Sequence, residues 1–180
     1  LEKLGAVFKS QSDSEVLLHG YKFWGLQLLL QRLEGMYAAV IYDQNKNKVF
    51  LIRDRVGIKP LYYHFSGSSL SWASELKGIV KYIGESSLSV NTTALLDFLV
   101  YRYIPAPKSL YKNVFKLPAA HFAEYDIETQ ALCVTRYWHL TTSKTNKPHD
   151  TLARELLELL QNSVEEQLVS DVPLGVLLSG

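Results

Sequence analysis

The chain has 180 residues, enough for one large domain or one and a part, and 47% of them are apolar, enough for a real core. Its formal net charge is +1, with acidic and basic residues interspersed, which gives no electrostatic case for nucleic acid or an anionic membrane surface. No apolar run approaches the ~20 residues of a bilayer span, the opening "LEKLGAVFKSQ" lacks the layout of a signal peptide, and the single cysteine excludes an internal disulfide framework and fits a reducing, cytosolic setting.

Ser12-Asp13-Ser14-Glu15 has the form of a capping box, a hydroxyl three residues before a Glu. It predicts a helix from there to about Gly25, with Val16, Leu17, Gly20 and Trp24 on the buried side. Leu26 to Leu33 reads as a second short helix, stopped by Gly35. The character then changes. "MYAAVIYD" and "KVFLIRD" are rich in β-branched and aromatic residues and flank the turn "QNKN", which makes a hairpin. "RVGIKP" is a loop in which Gly57 can take a positive φ and Pro60 closes the turn. "LYYHF" and "SLSWAS" form a second hairpin about "SGS", and Ser74-Glu75 is placed to cap a helix over "ELKGIVKYI". Four strands joined by tight turns predict a mostly antiparallel sheet.

Residues 91–103 read as a helix opening at Asn91, and "YIPAPKSL" as an exposed, Pro-bearing link. "HFAEYDI" and "ALCVTRYW" make a third hairpin. "HLTTSKTNKPHD", residues 139–150, is polar and turn-rich, a linker composition. Beyond it Leu152, Leu156, Leu160, Val164 and Leu168 recur every four residues, an amphipathic helix of about 18 residues. Val176 to Leu178 then reads as a short strand running into Ser179-Gly180. A domain boundary is expected near 140–150. With no initiator Met at one end and a strand leading nowhere at the other, both ends are expected to be internal points of a longer chain.

Taken singly, the chemistry-bearing residues are ambiguous. Asp13 suits the positive end of a helix dipole. Arg53-Asp54-Arg55 can be a solvated strand end, and "VLLSG" a buried strand ending in a turn. Trp24, Trp72 and Trp138 read as core residues. The five histidines have no metal-ligand spacing, and no metal site is expected. Together, however, four blocks in order, "SDSEVLLHGYKFWG", "LEGMYAAVIYD", "LIRDRVGIKPLYY…WASELKGIV" and "SDVPLGVLLSG", resemble the class-II glutamine amidotransferases of the asparagine synthetase type. "YIPAPKSLYKNVFKLPAAHF" resembles that family's connecting segment, so the resemblance covers nearly the whole chain.

The resemblance implies an α+β fold for residues 1–140: the C-terminal part of an Ntn-type αββα sandwich, two antiparallel sheets between helical layers. A linker at 141–150 would follow, and 151–180 would open an α/β nucleotide-binding domain of the adenine nucleotide alpha-hydrolase type. It implies that Asp13 binds the α-amino group of glutamine, since an ammonium taken out of water needs a carboxylate partner. It makes Arg53, Asp54, Gly57 and Pro60 a structural frame for that pocket. It places Leu177, Leu178, Ser179 and Gly180 at ATP, the last two beginning a Ser-Gly-Gly-x-Asp-Ser loop whose amides cradle pyrophosphate. The nucleophile of such enzymes is an N-terminal Cys whose free amine is its base. Cys133 lies inside a predicted strand and is excluded, so no catalytic residue is expected within these residues, and the segment alone would be inactive.

The implied activity is that of an ATP-dependent carbon–nitrogen ligase. Glutamine hydrolysis supplies ammonia to an adenylated aspartate, with ATP and Mg2+ required, glutamine, aspartate and ATP as small-molecule partners, a homodimer among the assemblies the family allows, and a cytoplasmic location. Relatives that amidate or cyclise another carboxylate (β-lactam synthetase-like enzymes, surface-polysaccharide amidotransferases), a non-catalytic regulatory relative and a free-standing glutaminase-like hydrolase are the alternatives; an ATP loop has no use in the last.

Overall fold

The computed structural model describes residues 1–170 and 172–178. It divides into two compact units, Leu1–Leu140 and Thr141–Gly180.

The first unit opens with helix α1, Asp13–Arg32, whose Ser12 cap accepts a hydrogen bond from the Ser14 amide at 3.3 Å. At Gly25 the backbone leaves helical geometry (φ 69°, ψ 176°), so α1 is two helical stretches about one glycine, as the sequence predicts. Gly20, Leu29 and Leu30 are buried, whereas Val16, expected on the buried side, is exposed. Strands β1 (Ala38–Asp43) and β2 (Lys48–Arg53) form the first hairpin, β3 (Tyr62–Phe65) and β4 (Leu70–Ala73) the second. Helix α2 (Leu76–Ile83) follows, then α3 (Thr92–Tyr101), capped by Asn91, whose side chain accepts from the Ala94 amide. Strand β5 (Val114–Lys116) and a third hairpin of β6 (His121–Asp126) and β7 (Ala131–Arg136) complete the unit.

The four early strands do not lie in one sheet, as their turns suggested. One antiparallel sheet has the order β1-β2-β6-β7, and a second has β4-β3-β5. The chain changes sheets in the loop between β2 and β3, where Asp54 and Arg53 hold it. Strand β5, three residues inside the connecting segment, was too short to read from sequence; it pairs with β3 through Tyr63↔Phe115. That segment is also less exposed than its prolines suggest. Ser109 is buried, with its hydroxyl donating to the Val114 carbonyl at 2.7 Å.

Side-chain alternation along the strands builds the layers. Val49 and Leu51 of β2 and Ala123 and Tyr125 of β6 meet Tyr63 of β3, Leu61 and Leu117 between the two sheets. The intervening residues, Phe50, Ile52 and Phe122, point the other way with Ile41 and pack on Leu29 and Leu30 of α1. Strand β2 therefore has a core on each face, which is why "VFLI" is a continuous apolar run. Helix α2 lies on β3 and β4 and buries Ile79. The result is an α+β sandwich: helix, antiparallel sheet, antiparallel sheet, helix. Burying each large apolar side chain contributes roughly 1.5–3 kcal/mol.

Two local expectations are corrected. Ser74 does not cap α2; Glu75 occupies that position, and no side chain bonds to the helix start. Trp72 is 44% exposed rather than core, because β4 is the sheet's edge strand and no neighbour covers its far side.

The second unit contains helix α4, His149–Gln167. Lys147 pairs with Glu155 at 2.7 Å across its first turns, and Leu156, Leu160 and Val164 are exposed along one line four residues apart. The strand expected at Val176–Leu178 is not formed. A strand's amides and carbonyls need a neighbouring strand to pair with, and among the described residues of this unit there is none. Among the described residues of the chain, no helix is long and apolar enough to cross a membrane.

Candidate functional site

Asp13 is the first residue of α1 and is exposed. What places it is Glu15. The box form leads one to expect Glu15 to turn back onto Ser12. Instead it reaches further, accepting from the amides of Lys9 and Ser10, both at 2.8 Å, and from the Ser10 hydroxyl at 2.6 Å. This fastens residues 9–10 against the helix start. Those bonds, the Ser10 hydroxyl first and the Lys9 amide next, hold the Glu15 pKa down at about 2. Glu15 is thereby committed to structure, while Asp13 faces an open cleft of about 380 Å3.

The far wall of that cleft is the loop from β2 to β3. Its residues are set by two adjacent, oppositely charged side chains. Asp54 is fully buried, and its carboxylate accepts from the amides of Val56 (3.1 Å), Ile58 (2.9 Å) and Lys59 (3.0 Å). Burial alone raises the pKa of such a carboxyl; the amides of Lys59, Ile58, Gly57 and Val56 together outweigh it and keep Asp54 below the ordinary range. Arg53 takes the carbonyls of the same loop, donating from Nε to Lys59 (2.9 Å) and from Nη2 to Gly57 (2.6 Å), and from Nη1 to Leu117 (2.6 Å). Five backbone groups of one loop are satisfied by two side chains. Of the charge run, Asp54 is buried and Arg53 half-buried, and together they brace the loop.

Gly57 (φ +72°) sits between Arg53 and Ala119, with no room for a side chain. Pro60 follows and lines the cleft together with Asp13, Tyr37, Lys59 and Ser74. Asp13 and Pro60 thus meet at one cavity, and Arg53, Asp54 and Gly57 stand behind it as support. A smaller cavity of about 260 Å3 adjoins, also bounded by Asp13 and Tyr37, with Glu34 and Met36. Behind Pro60, Lys116 donates to the Ile104 carbonyl at 2.5 Å, and burial, then the neighbouring Arg53, depresses its pKa.

Tyr37, Lys59 and Ser74 had no place in the sequence reading of the site. Ser74, which the sequence suggests as a helix cap, instead lines the cleft. Tyr37 had the pattern of an ordinary strand residue, and Lys59 carried no signal apart from its neighbours. A larger apolar groove of about 700 Å3 runs between α2 and Leu110–Tyr111, but it gathers no carboxylate.

Chemically, the cleft is lined by a carboxylate-bearing, an ammonium-bearing and a hydroxyl-bearing residue, Asp13, Lys59 and Ser74, around a space large enough to admit an amino acid. It offers no thiol: Cys133, the chain's single cysteine, is on the exposed face of β7, its Sγ 3.7 Å from the Thr135 hydroxyl. In the second unit Leu177 and Leu178 are exposed, at 102% and 91%; Ser179 and Gly180 lie outside the described residues.

The sequence matches the family of glutamine amidotransferase domains over residues 1–138 and the asparagine synthase family over 155–180. A Methanocaldococcus jannaschii protein named as a glutamine-hydrolysing asparagine synthetase is 35% identical over 99% of this chain and 35% of its own length. Asparagine synthetase [glutamine-hydrolyzing] 3 of Bacillus subtilis is 32% identical over 100% of this chain and 29% of its own. The chain spans about a third of the length of these relatives. Glutamine phosphoribosylpyrophosphate amidotransferase of B. subtilis, a solved structure, aligns with a TM-score of 0.49 at 20% identity, over 76% of this chain and 25% of that one.

Proposed function

The chain belongs to the glutamine amidotransferase domain family, in its asparagine synthetase branch, and on that premise we propose that it forms the amino-acid-binding part of a glutamine-dependent asparagine synthetase. Residues 1–140 are the latter part of the glutamine-hydrolysing domain, 141–150 the linker, and 151–180 the start of the ATP-binding domain. The whole enzyme hydrolyses glutamine and passes ammonia to an adenylated aspartate, yielding asparagine, glutamate, AMP and pyrophosphate. It works in the cytoplasm.

The observation that carries this reading is the placement of Asp13. Asp13 lines a braced cleft together with Lys59 and Ser74. A glutamine entering there brings an ammonium, a carboxylate and an amide. Asp13 takes the ammonium, replacing the water it loses with a charge-assisted hydrogen bond. The Arg53–Asp54 brace keeps the opposite wall from collapsing onto the empty cleft or yielding to the bound one. The attacking Cys, with its own amine as base, is supplied from outside these residues.

ATP and Mg2+ belong to the acceptor half. Bound there, ATP would supply the adenylyl group that gives a carboxylate, a poor electrophile, a good leaving group, and Mg2+ would offset the phosphate charge. The described part of the second unit does not complete a site for them: Leu177 and Leu178 offer backbone groups only, and no cluster of three potential metal ligands occurs among the described residues. The relatives named above are asparagine synthetases, which favours aspartate as the acceptor.

The test is Asp13→Ala in the full-length protein. The KM for glutamine is expected to rise at least tenfold, while the rate with ammonia as nitrogen donor stays close to wild type. Equal loss with both donors removes Asp13 from the glutamine site.

A further inference from the structure

We propose that Tyr137 is a positioning residue for the Asp13 cleft, acting through Tyr37 and the Arg53 carbonyl; this inference rests on the glutamine reading of that cleft. Tyr137 lies 124 residues along the chain from Asp13, beyond the last strand of the sandwich and touching no part of the cavity. Its hydroxyl nevertheless donates to the backbone carbonyl of Arg53 at 2.8 Å. A carbonyl only accepts, so the single phenolic proton of Tyr137 is spent there. The Tyr37 hydroxyl, 3.0 Å away, must then be the donor to the Tyr137 oxygen. The order is fixed: Tyr37 to Tyr137 to Arg53.

The backbone repeats the connection. The Tyr137 amide donates to the Ala120 carbonyl (2.8 Å), the Ala120 amide to the Asp54 carbonyl (2.9 Å), and the Asp54 amide to the Tyr37 carbonyl (2.9 Å). Tyr37 is therefore gripped at both its carbonyl and its hydroxyl by the brace and by Tyr137, and Tyr37 is a wall of the cleft beside Asp13. Burial raises the pKa of both phenols, Tyr137 more than Tyr37, so both remain proton donors throughout the neutral range. The next residue strengthens the same attachment. The Trp138 ring lies 5.9 Å from the Arg55 guanidinium, which donates to the Gln31 carbonyl at 2.9 Å.

A purely structural hydroxyl pair would stabilise the sandwich and leave glutamine affinity alone. A positioning role predicts something different. Without the Tyr137 hydroxyl, Tyr37 loses its acceptor and is free to turn, and the wall facing the bound amino acid shifts while the chemistry elsewhere is intact.

The experiment compares Tyr137→Phe, Tyr37→Phe and the double variant in the full-length protein, with glutamine and with ammonia as nitrogen donors, and records thermal unfolding of each. Tyr137→Phe should raise the KM for glutamine about fivefold, the size of one lost hydrogen bond, with kcat within twofold of wild type. Tyr37→Phe should do the same, and the double variant should be no worse than either single one, because the two hydroxyls act as one unit. An unchanged KM, a parallel fall with glutamine and ammonia, or effects that multiply in the double variant overturns the inference. Should Tyr137→Phe fail to fold, Tyr37→Phe reads the same coupling from its other end. No glutamine turnover by the unsubstituted protein sinks the amidotransferase reading, and this one with it; turnover with an unmoved KM sinks only this one.

Discussion

A β-carbon placed on Gly57 would stand 2.9 Å from the β-carbon of Ala119 and 3.2 Å from the Arg53 guanidinium carbon, and Gly57 holds φ at +72°. Both facts demand glycine, one through space and one through backbone strain. Gly57→Ala is therefore expected to destabilise the protein by about 2–4 kcal/mol, part from each cause. Adding Ala119→Gly should restore only the part due to the Ala119 contact, the Arg53 guanidinium being a flexible neighbour that can give way. Urea unfolding of the single and double variants separates the two; full recovery would show that backbone conformation contributes nothing.

The brace predicts a second pattern. Asp54→Asn keeps the size of the side chain but replaces one acceptor oxygen with an NH2 that points at amides. At least one of the part-buried amide donors of Val56, Ile58 and Lys59 then loses its partner. The expected loss is about 1–3 kcal/mol. Arg53→Lys should also destabilise, since one ammonium cannot reach the carbonyls of Gly57, Lys59 and Leu117, which the planar guanidinium spans. Both variants should weaken glutamine binding as the loop loosens, read as a rise in KM larger than that in a distant control of equal stability.

Much of this architecture is legible in the sequence because its signals are local. The hairpins follow from alternation and turn residues, and Gly25, Gly57 and the Asn91 cap all sit where their chemistry announces them. The site was legible as blocks but not as geometry. Nothing local says that Glu15 bonds to Lys9 rather than Ser12, or that the charges of Arg53 and Asp54 are turned inward. Those outcomes depend on where the loop between β2 and β3 must cross from one sheet to the other. The assignment of strands to two sheets and the pairing of β5 with β3 are long-range choices of the same kind. Tyr37 and Tyr137, a hundred residues apart, carry no sequence signal of their contact.

Glu15 gives a pH test of the loop tether. Its ordinary pKa of 4.5 falls to about 2 in the folded chain, chiefly through the Ser10 hydroxyl and Lys9 amide. A depressed folded pKa means that the tether's contribution is complete above the unfolded value and is lost as acid protonates the folded group. Stability should therefore decline as pH falls from about 4.5 to about 2, and Glu15→Gln should flatten that part of the profile while lowering stability above it. Melting temperature against pH for the two proteins measures this; parallel curves would mean the carboxylate is not held by these donors.

Cys133 offers the last test, because a cysteine in a protein of this family invites assignment as the nucleophile. Its geometry argues against that. A class-II nucleophile uses its own free α-amino group as base, whereas Cys133 lies within β7, opposite Glu124 in the ladder with β6, its amide part of the chain. The thiol faces solvent on the edge strand of the four-stranded sheet, away from the Asp13 cleft. Cys133→Ser should therefore leave glutamine hydrolysis by the full-length protein unchanged and shift stability by no more than about 0.5 kcal/mol, as for other exposed sites. The same exposure predicts that Cys133 reacts with a thiol reagent in the folded protein, as fast as in the unfolded chain to within about tenfold. A collapse of glutaminase activity in the serine variant would move the nucleophile to β7 and undo the division of labour argued for this chain; slow labelling would place the thiol inside an interface.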